Sequence, residues 1–426
     1  MMFTLEQIEI DGFWGRLSLN SSLFPDVNIF IGQNGTGKTT LMNALQAVLT
    51  VDLVLLEKTE FDQIRLRLID GKKSRTVTVT RITSDLYFET VNFKISRKTY
   101  RLPLVPRDVE YRRRITSRFL EDIRAVRKQM SSMIRTSWLS VHREILQEED
   151  YEYHMRGRRV EKVLNPVDSR LADLMERLTA YQLNLQSQAS ELSATFQKQV
   201  LTSILYNKKF DTFDLDDQEP MDLAELREHL TRTYADLGAL SENTVKRIDE
   251  HVSKLEESLS KLRMAQDSKE PFYVNDVLPL SLYRRSRHLA DLSTRVDVKK
   301  KDLFRLFNLF LETLHDFAQD KIFEQSSSGD GGLKITKKGQ SIFFQQLSSG
   351  EKQLLILLAE ALLQDRGGAV FIADEPELSL HPTWQGKLLG AIRALNQNVQ
   401  LIVATHAPEI ASQWPDNIID MEDVLS

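Results

Sequence analysis

Ile31-Gly32-Gln33-Asn34-Gly35-Thr36-Gly37-Lys38-Thr39-Thr40 decides how this chain is read. The stretch has the form G-x-x-x-x-G-K-[ST]. An apolar run over residues 27–31 leads into it, and Leu41, Met42, Ala44 and Leu45 follow at helical spacing. That context predicts a strand, a loop and a helix. Glycines let a backbone curl until successive N–H groups and the helix N-terminus face phosphate oxygens. Gly32, Asn34, Gly35, Thr36, Gly37, Lys38, Thr39 and Thr40 are therefore the candidate phosphate-binding positions. Lys38 suits the β- and γ-phosphates of a nucleotide, and the Thr39 hydroxyl suits Mg²⁺. Alone, the loop indicates a nucleotide and no particular reaction.

A second group of motifs lies late in the chain. Val370-Phe371-Ile372-Ala373-Asp374-Glu375 is an apolar strand ending in two carboxylates, the first fit to hold Mg²⁺ and the second to act as base toward a water. Upstream, Leu347-Ser348-Ser349-Gly350-Glu351-Lys352-Gln353 resembles the signature motif of ABC-type ATPases. Glu375-Pro376-Glu377-Leu378-Ser379-Leu380-His381-Pro382 resembles the D-loop region of their SMC, RecF and OLD-like branch, and Thr405-His406 resembles that branch's switch histidine.

The resemblance implies an α/β fold: an ABC-type head built on a P-loop, with a mixed sheet, flanking helices and an antiparallel β-subdomain. It also implies ATP and Mg²⁺ as cofactors and ATP hydrolysis as the activity. In that scheme Thr39, Gln63 and Asp374 organise Mg²⁺, Glu375 is the base, and His406 orients the γ-phosphate. Gln63, before an alternating hairpin over residues 64–81, is similar to the Q-loop glutamine of such heads. Ser348 at a helix N-terminus is an anion site without its own anion. By resemblance, Ser348 and Gly350 complete the ATP held by Lys38 of a second subunit, so two heads would sandwich two nucleotides.

Composition sets the outer bounds. With 41% hydrophobic and 27% charged residues and a net charge of −5, the 426-residue chain has the balance of an ordinary folded protein of one large or two domains. It holds no cysteine, which excludes disulfides and thiolate metal sites and fits a reducing cytoplasm. The first ten residues alternate like a strand and lack the layout of a signal peptide, and no apolar run is long enough to span a bilayer. No membrane association is expected.

The expected organisation is a head split in two: residues 1–165 with the Walker A loop and Gln63, then a helical, short coiled-coil insertion at 166–320, then 321–426 with the remaining motifs. Within the insertion, leucines at spacings of three, four and seven predict helices over Val167–Asn207 and Asp222–Met264, with a third over Val296–Gln319. The acidic run at 211–220 lacks the glycine and spacing of a Ca²⁺ loop and reads as a solvated turn. Resemblance to SMC-like heads, whose corresponding opening lies near the nucleotide base, implies that Trp14 or Arg16 touches adenine or phosphate; Trp14 reads equally as an ordinary packed aromatic. Residues 97–144 carry thirteen Lys or Arg against five acids, a local charge of +8 that suits either phosphate binding or charge pairing within the fold. Ser137–Arg143 resembles a strand ending in arginine in OLD-like and related defence ATPases, where the element returns the chain to the head, and the resemblance implies a place for Arg143 near the nucleotide or the dimer face.

Three machines share these motifs. The compact head, the D-loop form and the modest insertion resemble ATPases of bacterial anti-phage systems of the PARIS and Septu types. That resemblance implies a homo-oligomer of head-to-head dimers and, since no nuclease domain is recognisable in the chain, a separate Toprim or HNH nuclease effector released by a phage protein. An SMC- or RecF-like repair ATPase would instead clamp DNA through the basic segment. Salt-dependent DNA binding lost on replacing Arg112, Arg113 and Arg114 would distinguish it. A transporter's ATPase subunit is disfavoured by the long helical insertion.

Overall fold

The computed structural model describes residues 3–82, 89–104, 109–138, 166–203, 205–206, 222–268, 274–326, 332–364 and 369–426. Their packing forms two units. One combines Met1–Tyr181 with Leu309–Ser426, and the other is Gln182–Asn308.

Alternation builds the first sheet of the larger unit. β4 (Gln63–Asp70) buries Ile64, Leu66 and Leu68 and turns Arg65 and Arg67 outward, and β5 (Lys73–Ile82) answers with Val77 and Val79. With β1 (Thr4–Phe13), β2 (Leu17–Ser22), β6 (Thr90–Ile95) and β7 (Lys98–Pro103) they form a six-stranded antiparallel sheet in the order β2-β1-β4-β5-β6-β7. The expected hairpin over 64–81 is β4–β5.

Continuous apolar runs build the second. β3 (Val27–Ile31), β12 (Ala369–Asp374) and β13 (Val399–Ala404) are buried along almost their whole length, as strands covered on both faces must be. They join β8 (Thr136–Trp138) and β14 (Ile418–Asp420) in a parallel sheet of order β14-β3-β13-β12-β8. A buried amide links the two sheets. Gln400 of β13 accepts from the N–H of Leu5 at 2.8 Å and donates to the carbonyls of Leu5 at 2.7 Å and Phe24 at 2.8 Å. A third, smaller sheet consists of β9 (Ile322–Gln325), β10 (Leu333–Lys337) and β11 (Gln340–Ile342).

Helices of this unit include α1 (Lys38–Thr50), α2 (Leu53–Lys58) and α3 (Val109–Met133). The first half of α4 (Pro166–Ser203) also belongs to it. Leu171, Leu174 and Leu178 are buried there, and Arg170 pairs at 3.2 Å with the buried Glu360.

The helical expectations need two corrections. The run over Asp222–Met264 is two helices, α5 (Leu223–Asp236) and α6 (Glu242–Ser268). Gly238 at φ +67° and the hydroxyl of Ser241, which accepts from the N–H of Thr244, end one helix and begin the next. The third run begins earlier than Val296: α7 spans Val274–Phe317 and carries Pro279 inside it. In the smaller unit Leu226 and Leu230 of α5 pack with Ile248 and Leu255 of α6 and Tyr283 of α7. The acidic run 211–220 and Arg143 lie outside the described residues, as do the side chains of Arg112, Arg113 and Arg114.

Candidate functional site

Register brings the motifs to one edge. Across the parallel sheet Asp374 stands beside Ala404, Ala404 beside Phe30, and Ile31 beside Asp420. The carboxyl ends of four neighbouring strands are therefore level: Asp420 ends β14, and the segments that leave the other three carry Gly32–Thr40, Glu375 and His406. Parallel α/β sheets bind their ligands at this edge.

The loop after β3 curls because three glycines adopt positive φ: +148° at Gly32, +86° at Gly35 and +93° at Gly37. At Gly37 packing adds a second reason, since a Cβ there would lie 2.7 Å from the Phe13 ring. Phe13 stacks on Trp14, whose Nε1 donates to the Thr40 hydroxyl at 3.3 Å, so Trp14 is a packed aromatic that braces the start of α1. Arg16 is exposed. Gln33, Asn34, Gly35 and Thr39 form the exposed crest, with Thr36 bonded back to the Gln33 carbonyl at 2.9 Å. Lys38 is only 5% exposed, and its ammonium donates to the carbonyls of Gly32 at 2.7 Å and Gln33 at 3.0 Å. Burial lowers its pKa, while the negative charges of Glu375, Asp374 and Asp420 oppose the shift. Asp420 was not legible as a site residue; only the pairing of β14 with β3 places it there.

Glu375 follows β12 with φ +48°, an uncommon conformation for a side chain of its size. Its N–H donates to the Ala404 carbonyl at 2.8 Å, and its own carbonyl accepts from Leu378 at 3.1 Å. Held so, its carboxylate lies 3.6 Å from His406 Nε2. The base and switch histidine expected from the motifs are thus neighbours.

Ser348 caps α8 (Ser349–Leu363) in a reciprocal box: its N–H donates to Glu351 at 2.8 Å, and its hydroxyl accepts from the Glu351 N–H at 3.4 Å. Ser348 is exposed, while Gly350 is buried against the D-loop, where a Cβ would fall 2.5 Å from the Ser379 carbonyl. Glu351 also accepts from the ammonium of the buried Lys321, which in turn bonds Asp320 at 3.1 Å. Burial works against the Glu351 charge, but Lys321 and the Ser348 N–H outweigh it and hold the carboxyl below its usual range. No sequence signal marks Lys321.

Gln63 stands at the start of β4. Its amide donates to Thr80 at 3.1 Å and accepts from Arg65 at 2.8 Å, so its hydrogen bonds stay within its own sheet. The groups that meet at the sheet edge are Lys38, Asp374, Glu375, His406 and Asp420. Among the described residues no cluster of three or more His, Asp or Glu side chains forms a ready cation cage. The exposed Thr39 follows Lys38, whose charge Asp374 and Glu375 oppose, and such a set fits a cation that takes much of its coordination from phosphate and water.

A curled, lysine-bearing loop and paired carboxylates at the end of a parallel sheet, with a serine capping a separate helix, define a P-loop ATPase with an ABC-type head. The chain belongs to the AAA ATPase domain family, whose sequence profile matches residues 4–411.

Among its relatives, a probable ATPase of retron Ec83 from Escherichia coli is 29% identical over 142 residues, which cover 29% of this chain and 26% of that protein. The Septu protein PtuA of Bacillus thuringiensis is 28% identical over 102 residues, 21% of this chain and 26% of PtuA. An ABC transporter ATP-binding protein of Haemophilus influenzae is 42% identical over 78 residues, 18% of this chain and 28% of that protein. The chain thus spans about a quarter of the length of these relatives. A solved Smc head domain from Pyrococcus furiosus aligns over 98% of this chain and 93% of that one, with 14% identity and a TM-score of 0.41. Among the described residues no helix is long and apolar enough to cross a membrane.

Proposed function

We propose that this ATPase works as an ATP-sandwiched pair of heads, in which Ser348 and Gly350 of one copy close over the nucleotide held by the other. The observation that carries the reading is Ser348 itself: a helix N-cap hydroxyl left exposed, with two large apolar side chains near it in the motifs, Phe343 (75% exposed) and Leu378 (45% exposed). Lys38 exchanges the carbonyls of Gly32 and Gln33 for phosphate oxygens, Glu375 takes the proton of the attacking water, and His406 orients the γ-phosphate. Thr39, Asp374 and Gln63 would hold Mg²⁺, which when bound supplies positive charge between the phosphates. Gln63 reaches it only by giving up the bonds to Thr80 or Arg65.

The head is assigned to residues 1–165 and 321–426, and 166–320 to an insertion whose two ends, 166–181 and 309–320, pack with the head. Similarity to retron and Septu proteins supports placing the machine in an anti-phage complex in the cytoplasm. There it acts as scaffold and sensor, holding a separate nuclease effector of Toprim or HNH type and releasing it on a phage signal.

Glu375→Gln should bind ATP yet slow hydrolysis by about 100-fold or more. Light scattering should then show its mass doubling or more with ATP, and a further Ser348→Arg change should abolish that growth. A Ser348→Arg protein hydrolysing ATP at the parent rate as a monomer would sink the sandwich. Copurification with a nuclease encoded beside it tests the scaffold role separately.

A further inference from the structure

Glu377 has no part in the chemistry above, yet it is the most deeply buried acid of the motif that contains it. It is 7% exposed, whereas the side chain of Glu375 is 38% exposed. The hydroxyl of Thr405, itself fully buried, donates to Glu377 Oε1 and accepts from the N–H of Ala407 at 2.9 Å. The main-chain N–H of His406 faces the same carboxyl. Residues 405–407 are therefore held on both sides of the histidine. From the other direction, the Glu377 carbonyl accepts from Leu380 N at 2.8 Å, and the preceding carbonyl, of Pro376, accepts from the buried amide of Gln353 at 2.7 Å. Gln353 belongs to α8, the helix that Ser348 caps.

A carboxyl in this position carries a burial cost. Desolvation raises its pKa against the opposing pull of Thr405 and the nearby amides, and Oε2 has no hydrogen-bond partner among the described residues. Packing alone would be served as well by an apolar side chain of similar volume. What the acid adds is an acceptor, aimed at the one segment that presents His406.

We infer that Glu377 is a positioning residue for hydrolysis: as a hydrogen-bond acceptor it sets the main chain of His406 against Glu375 and joins that segment, through Pro376 and Gln353, to the signature helix. The inference rests on the assignment of Glu375 and His406 made above.

Steady-state ATPase assays and direct binding of a fluorescent ATP analogue, with the full chain carrying E377A, E377Q, T405V, H406A or E377A with T405V, test it. E377A should lower kcat about 30-fold while KM and analogue affinity stay within about twofold, since the nucleotide's own contacts are untouched. T405V should lower kcat about tenfold, and the double variant should be no slower than E377A, because the two act as one unit. E377Q keeps an acceptor oxygen and should recover kcat to within about threefold of the parent. An E377A protein at parent kcat, an E377Q protein as slow as E377A, or a loss in affinity with kcat retained would each overturn the role. Should E377A fail to fold, T405V at parent kcat overturns it equally. H406A at parent rate would refute the histidine's assignment, whereas a slow H406A beside a normal E377A refutes only the inference about Glu377.

Discussion

At Gly37 two constraints meet in one residue: a φ of +93° and a Phe13 ring where a Cβ would sit at 2.7 Å. Gly37→Ala should therefore cost about 1–3 kcal/mol, read as a lower Tm by calorimetry, and should weaken ATP binding as well. Lys38→Ala should reduce ATP affinity at least about tenfold, measured by titration calorimetry, with little loss of fold, because the ammonium now bonds only loop carbonyls. These residues were legible from spacing alone, since a phosphate loop is a local object whose parts are consecutive. Glu377 was legible only as a letter in Glu375-Pro376-Glu377. Its burial and its bond to Thr405 depend on strands β12 and β13 lying side by side, and no local pattern reports that.

Among the elements, α8 shows how a motif is held in place. Its N-cap depends on Glu351, whose carboxyl Lys321 and the Ser348 N–H hold below its usual pKa. A depressed carboxyl adds stability above its unfolded pKa of about 4.5 and loses it as pH falls through the lower folded value. Against Glu351→Gln, the parent should thus be more stable by roughly 1 kcal/mol near neutrality, and the gap in Tm should close below about pH 4.5. In the sheets, Gln400→Leu would leave the N–H of Leu5 and the carbonyls of Leu5 and Phe24 without their present partner. A cost of about 1–3 kcal/mol is expected in a urea titration. Helical periodicity located the helices but missed the break at Gly238. Apolar spacing continues through Leu237 and Leu240, and only the glycine's left-handed φ ends the first helix.

For the whole molecule, ligand binding and stability are linked. At an ATP concentration 100 times the parent Kd the folded head should gain about 2.7 kcal/mol, visible as a rise in Tm for Glu375→Gln, whereas Lys38→Ala should gain no more than about 1.4 kcal/mol. Packing separates Gln182–Asn308 from the rest, so thermal unfolding followed by calorimetry should show ATP raising the transition of the larger unit.

The amino-acid sequence by itself determined the phosphate loop, the paired acids, the signature serine and the alternation that makes the β4–β5 hairpin, because each is written in neighbouring residues. Only the tertiary structure decided that Asp420 faces Lys38, that Lys321 steadies Glu351, that Gln63 is bonded within its own sheet, and that Glu377 is bonded to Thr405, the residue before His406. The physical reason is sheet register: contacts between strands far apart in the chain are fixed by how whole faces pack, and that packing leaves no signature at any one position.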